Sequence, residues 1–478
     1  MDLAQFRKIQ ARRDFLRQCA GGLGTFALAN LMAQEGRTAE LGARTDPMAP
    51  KPAHFPGKAK NVILLFMEGG PSQMDLFDPK PGLQKWHGQP LPESMTKGLR
   101  LAFIKPTAKV MASPRVFTKH GQSGMELSDY LPHLSKRADD LCLIRSMYTD
   151  AFNHHPGQLL LMSGSTQFGR PCMGSWVTYG LGSESTNLPG FVVLSSGRGT
   201  SGGASNYSSG FLPSTYQGVT FRSAGDPVLY LSNPPGITAE TQRLGLDALR
   251  DLNEEHHQAT GDVEIASRIA SYELAFRMQT AAPELLDFSK ESAATLEMYG
   301  VNKKPMHPYA VNCLLARRMV ERGVRFVQLM HASWDDHSEL DRKLKENCEI
   351  TDQPIAALLT DLKQRGLLDS TLVIFAGEFG RTPMVEIRKP VPGNEGRDHH
   401  PLAFSLWMAG GGIKGGQVVG KTDDIGFNIA EDKIHMHDLH ATIMQTLGFD
   451  HLKLTYRSQG RDFRLTDVAG NVVKKLLV

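Results

Sequence analysis

The chain is poor in cysteine, in net charge and in long apolar runs, and each shortage excludes something. Five of its 478 residues are cysteine, and Cys142, Cys172, Cys313 and Cys348 lie far apart without any Cys-x-x-Cys spacing, which argues against a zinc ribbon. Whether these four form disulfides or remain buried thiols is open, because spacing does not fix connectivity. The formal net charge is only +3. The first 34 residues hold five Lys or Arg and two Asp or Glu, so the balance without them is zero and no basic surface for nucleic acid is expected. No stretch reaches the roughly 20 strongly apolar residues that a membrane-spanning helix needs. With 41% hydrophobic and 22% charged residues, the composition is that of an ordinary globular protein.

The N-terminus has a pattern of its own. Arg12-Arg13-Asp14-Phe15-Leu16 precedes Ala20 to Ala33, an uncharged and moderately apolar stretch interrupted by Gly21, Gly22 and Gly24. This matches the bacterial twin-arginine export signal. Residues 1–34 are therefore expected to be a signal read by the twin-arginine translocase, and the mature protein is expected in the periplasm or outside the cell. Residues 35–57, rich in Ala, Pro and Gly, read as a linker. Residues 58–478 read as one α/β domain with a loop insertion at about 195–240.

Within that domain, Asn61 to Phe66 is a continuous apolar run ended by Glu68-Gly69-Gly70-Pro71, the pattern of a strand buried on both faces of a parallel sheet. Leu141 to Met147, Phe191 to Leu194, Val324 to Leu329, Leu372 to Ala376 and Phe404 to Met408 repeat it. Helical patterns over 310–322 and 355–364 stop at Gly323 and near Gly366, each just before a strand. Such alternation predicts a mostly parallel central sheet with helices on both faces.

Sheets of this kind hold ligands at the carboxyl ends of their strands. Here those ends are polar: Glu68, Ser72 and Asp75; Asn153, His154 and His155; His331 with Asp335, Asp336 and His337; Glu378 and Arg381; and, before the last strand, Arg397, Asp398, His399 and His400. Carboxylates with neutral imidazoles suit Zn, Mn or Fe, whereas carboxylates alone also hold Mg or Ca, so one or two divalent ions are expected. The guanidinium groups of Arg381 and Arg397 match a tetrahedral oxyanion, or an ion pair with Glu378 or Asp398. The Gly/Ser-rich stretch Ser195 to Gly210 reads as a surface loop or a mobile lid.

The segments Glu68-Gly-Gly-Pro-Ser-Gln-Met-Asp75, Phe152-Asn-His-His155, Trp334-Asp-Asp-His337, Gly377-Glu-Phe-Gly-Arg-Thr-Pro383, Gly396-Arg-Asp-His-His-Pro401 and His437-Asp-Leu-His-Ala-Thr442 together resemble the bacterial domain-of-unknown-function family 1501. That family is placed in the alkaline phosphatase and sulfatase superfamily. The resemblance implies an alkaline-phosphatase-like α/β/α sandwich and a metal-dependent hydrolase of phosphate-type, or sulfate, esters acting on a small-molecule or polysaccharide substrate. By the same resemblance Glu68, Asp75, His155, Asp335, Asp336, His337, Asp398, His399 and His400 are metal-ligand candidates. His154, Glu378 and Arg381 are the catalytic candidates, and Asn153, Arg381 and Arg397 the substrate-binding ones. Asp438 is placed as the N-cap of a late packing helix.

The chain also departs from the superfamily pattern. His154 stands where those enzymes carry a Ser, Thr or modified Cys nucleophile, no Cys-x-Pro-Ser-x-Arg is present, and Glu378-Phe379 replaces an Asp-His pair. His154 is then a nucleophile, a metal ligand or a remnant, with Thr149 and Ser163 as weaker nucleophile candidates. The competing reading is a non-catalytic extracytoplasmic binding or scaffold protein on the same fold.

Overall fold

Strand β1, Asn61–Glu68, is apolar on both sides because it lies at the centre of a sheet covered on both faces. The computed structural model describes residues 46–96, 101–197, 200–223, 225–229 and 231–478. The twin-arginine pattern lies outside the described residues. In chain order the other strands used here are β2 Leu141–Tyr148, β3 Phe191–Gly197, β4 Val219–Phe221, β5 Phe326–Ala332, β6 Thr371–Ala376, β7 Gly380–Ile387, β8 Glu395–His400, β9 Phe404–Ala409, β10 Gln417–Val419 and β11 Ile434–His435. The sheet runs β10-β2-β9-β6-β1-β5-β3-β4, with β11 also paired to β2. All its pairings are parallel except those of β9 with β2 and β6.

Alternation along β1 divides the core. Val62, Leu64 and Phe66 join the helices α1 (His154–Ser163), α2 (Met173–Leu181) and α7 (Met436–Thr446) through Leu160, Trp176 and Ile443. Ile63, Leu65 and Met67 join α5 (His307–Glu321) and α6 (Leu340–Gln364) through Leu314, Leu315, Leu358 and Leu359. Helices α3 (Ala239–Thr260) and α4 (Val263–Leu286) form a hairpin between β4 and β5, each opened by a side-chain cap from Thr238 or Asp262. Among the described residues no helix is long and apolar enough to cross a membrane.

The six strands read from the sequence are all present within two or three residues of their expected ends. Three local expectations change. Strand β9 runs antiparallel, because it is reached through the β7–β8 hairpin and not through a crossover helix. Residues 396–400, which precede that strand, are one arm of that hairpin. Asp438 is not the N-cap of α7: His435 is, and Asp438 sits at N3, where its carboxylate accepts from the His435 amide in a capping box. The linker reading fails for its described part, since Lys51 and Phe55 donate backbone hydrogen bonds to Leu181 and Gly448 of the domain. All four described cysteines are buried free thiols.

Candidate metal centre

Four side chains from three segments meet at the carboxyl edge of the sheet: His154 at the start of α1, Asp335 and His337 after β5, and His399 on β8. The reversal of β9 explains why a residue preceding that strand reaches this edge, where parallel strands end. Two glycines permit the approach. Gly69 has φ +115°, and a Cβ on it would lie 2.3 Å from the Asp335 amide nitrogen. Gly157 in α1 leaves room for Glu378, whose Cβ is 3.2 Å from where a methyl would stand.

Each histidine is held by its Nδ1. His154 Nδ1 bonds Glu378 Oε1 at 2.7 Å, His337 Nδ1 bonds Glu386 Oε2 at 2.5 Å, and His399 Nδ1 bonds the Phe152 carbonyl at 2.8 Å. All three partners only accept, so Nδ1 carries the hydrogen and, in the neutral ring, Nε2 presents a lone pair. The three Nε2 atoms converge on Asp335 Oδ1 at 3.2, 2.8 and 3.3 Å from His154, His337 and His399. His337 and His399 face each other Nε2 to Nε2 at 3.0 Å. Two lone pairs so placed repel unless a proton or a cation lies between them. A tetrahedral ion with bonds of about 2.0–2.1 Å spaces its ligands about 3.3 Å apart, so these separations suit a small divalent ion. The outer bonds through Nδ1 are those expected to orient metal-binding imidazoles.

The titration behaviour follows from this crowding. Burial alone would depress His154, but its bonds to Asp335 and Glu378 prevail and raise it to about 9. Burial likewise opposes protonation of His337, yet Asp335 and Glu386 raise it above the usual range. His399 is pushed down to about 4, chiefly by burial. Burial raises Asp335 less than the three imidazoles and the Arg381 charge lower it, and its carboxyl is held far below the ordinary range.

A family described as a protein of unknown function, DUF1501, matches residues 59–477. The chain belongs to the DUF1501 family. No curated protein matches it in sequence. Among solved structures it is similar to a protein in the alkaline phosphatase superfamily from Vibrio parahaemolyticus, at 11% identity over 84% of this chain and 70% of that one, with a TM-score of 0.34. A mutant of TAB5 alkaline phosphatase with Mg bound in its M3 site shares 13% identity over 82% of this chain and 99% of that one, with a TM-score of 0.35. The sulfatase PsFucS1 from Pseudoalteromonas sp. shares 11% identity over 88% of this chain and 70% of that one, with a TM-score of 0.34.

The other motif residues of this DUF1501 chain serve the cluster from outside it. Glu378 is fully buried and accepts from the Gly69 amide at 3.0 and 3.2 Å as well as from His154. Arg381 is spent on backbone: it donates to the carbonyls of Gly69, Gly70, Trp334 and Arg397, and its remaining contact is Asp335 at 2.6 Å. Arg397 pairs with Asp75 at 2.9 Å and donates to the Thr382 carbonyl. The Arg397 charge and bond overcome burial and lower the Asp75 carboxyl. With both guanidinium groups buried and engaged, neither presents an open face to an oxyanion.

Glu68 ties down the Gly/Ser loop, accepting from Gln158 at 2.8 Å and from the Ser201 amide at 2.9 Å, while Gln158 accepts from the Gly202 amide. His155 stacks edge-on against Phe168 and lies outside the four-residue group. Asp336 is buried, with Oδ1 unpartnered, and burial raises it to about 7. His331 bonds Ser196 and His400 bonds the Phe427 carbonyl, so neither joins the cluster. A second group of His337, Glu386 and Asp398 lies alongside, but Asp398 already accepts from the amides of Phe103, Ile104 and His399. Asn153 is exposed at the N-cap of α1 without a side-chain capping bond. Sequence reasoning missed Glu386, which has only its place in a strand, with no motif around it, to announce it.

Proposed function

We propose that the protein is a metal-dependent hydrolase of phosphate-type esters, with sulfate esters as the nearest alternative substrate. The observation that carries this reading is the convergence of three imidazole Nε2 atoms on one carboxylate oxygen, with every Nδ1 held from behind. His154, Asp335, His337 and His399 would hold a divalent ion, which would supply Lewis-acid stabilisation of the charge that develops on an ester oxygen. The first-turn peptide N–H groups of α1 belong to His154 and His155, while Pro156 has none and the Asn153 side chain caps nothing. A helix start of this kind favours an anionic group. Glu378 orients His154, and Arg381 fixes Asp335 while pinning the turns after β1 and β5. His154 Nδ1 is held by Glu378 while Nε2, without a hydrogen-bond partner, is aimed at Asp335 Oδ1 3.2 Å away together with the other two rings, which supports a ligand role over a phosphorylated histidine.

The test is metal content joined to turnover. Protein purified without chelator is expected to carry about one first-row divalent ion and to hydrolyse aryl phosphates. His337→Ala should lose the ion and at least about a hundredfold in rate, which corresponds to roughly 2.7 kcal/mol. Metal-loaded wild type inactive on phosphate and sulfate esters would replace this reading by the non-catalytic binding protein. Export by the twin-arginine route is part of the same proposal and rests on Arg12-Arg13-Asp14-Phe15-Leu16. Undiminished export after Arg12→Lys with Arg13→Lys overturns that part alone.

A further inference from the structure

Exposed phenylalanine is uncommon on a folded surface, and clustered exposure of large apolar groups marks binding sites. Among the described residues three phenylalanines are exposed, Phe103 at 60%, Phe152 at 51% and Phe168 at 65%; Phe103 and Phe152 adjoin histidines of the candidate centre, and Phe168 stands against His155, the neighbour of His154 in the chain. The ring of Phe103 stands edge-on to His337 and His399, with centroids 5.3 and 5.4 Å away. Its backbone is fixed there, since the amides of Phe103 and Ile104 donate to the buried Asp398 carboxylate at 2.8 and 3.1 Å. Phe152 gives its carbonyl to His399 Nδ1 and leaves its ring in solvent. Phe168 stands edge-on to His155 at 4.9 Å. One further aromatic ring is exposed among the described residues, Tyr272 on α4, outside these contacts.

From this placement we infer that the three rings form an apolar rim that selects esters whose alcohol part is aryl. The inference rests on the ester-hydrolase reading and adds the leaving-group class to it. A phenylalanine ring has neither donor nor acceptor for hydroxyl groups, so such a rim rewards a flat hydrophobic group and gives a polyhydroxylated sugar little. Exposing three rings to water is unfavourable in the free protein, and an aryl group resting on them removes that apolar surface from solvent. Recognition by the rim is separate from recognition by the centre, which takes the anion.

The full-length, metal-loaded chain should be titrated calorimetrically with phenylphosphonate and methylphosphonate, which share the anion and cannot be hydrolysed at the ester. Phenylphosphonate is expected to bind at least about tenfold more tightly. Phe103→Ala and Phe168→Ala should each weaken phenylphosphonate by about three- to tenfold while leaving methylphosphonate affinity and metal content unchanged. Phe103→Leu should retain part of the preference. Equal affinity for the two phosphonates, or glucose 1-phosphate binding as tightly as phenylphosphonate, overturns the inference. So does a Phe103→Ala variant that loses metal and both phosphonates together, because the ring would then only be holding the imidazoles in place. Metal-dependent hydrolysis at equal rates for phenyl and glycerol phosphates keeps the hydrolase reading and removes the rim. A selective rim on a protein that hydrolyses nothing does the reverse.

Discussion

Two clusters of charge lie in the same domain and are built on opposite rules. Under α5 and α6, Arg317, Arg318 and Arg365 meet Glu291, Glu321 and Asp361, three cations against three carboxylates. Arg317 reaches all three acids at 2.7 to 2.8 Å, and Tyr299 adds a hydroxyl to Asp361 at 3.0 Å. At the carboxyl edge of the sheet, by contrast, three imidazoles and Arg381 crowd a single oxygen of Asp335. The first cluster satisfies itself and needs nothing further. The second turns its basic groups inward on one acceptor, and ring nitrogens converging in this way form a group that could hold a metal ion.

The sharpest way to break the comparison is to unbalance the balanced cluster. Arg317→Leu removes the one cation shared by Glu291, Glu321 and Asp361, leaving them Arg318 and Arg365, and should cost about 3–5 kcal/mol in chemical denaturation, with metal content unchanged. A smaller effect comes from pH acting on the metal-free protein. His154 is raised to about 9 when folded, so it contributes stability fully present below its unfolded value of about 6.5 and lost as pH rises through 9, by about 3 kcal/mol at most. His154→Asn should remove that slope, and identical stability–pH profiles for the two proteins would refute the assignment. The smallest effect is the most specific. Glu386→Gln keeps the shape behind His337 but weakens its hold, and should lower metal affinity by about 10- to 100-fold with little change in the stability of the metal-free chain. Competition with a chromogenic chelator reads this directly, and unchanged affinity would reduce Glu386 to a buried acid without a part in holding metal.

The sequence by itself determined the strands and the edge at which chemistry collects. Runs such as Asn61 to Phe66 are apolar on both faces only where a sheet is covered twice, and polar residues gather at strand ends because the interior will not take them. His154, Asp335, His337 and His399 were therefore legible as candidates. Their partition from Asp75, Arg397, Glu68 and His400 was not. All of these are polar residues near strand ends, and which carboxylate meets a guanidinium and which meets an imidazole depends on side-chain direction across segments hundreds of positions apart. The reversal of β9 was equally hidden, because an apolar run reads the same in either direction. Only the tertiary structure decided that this reversal carries His399 to the same edge as His154 and Asp335, that Glu386 stands behind His337, and that Phe103 is left in water beside them. These are decisions about distance, and local pattern fixes residue type and periodicity while distance is set by the packing of the whole sheet and its two covering layers.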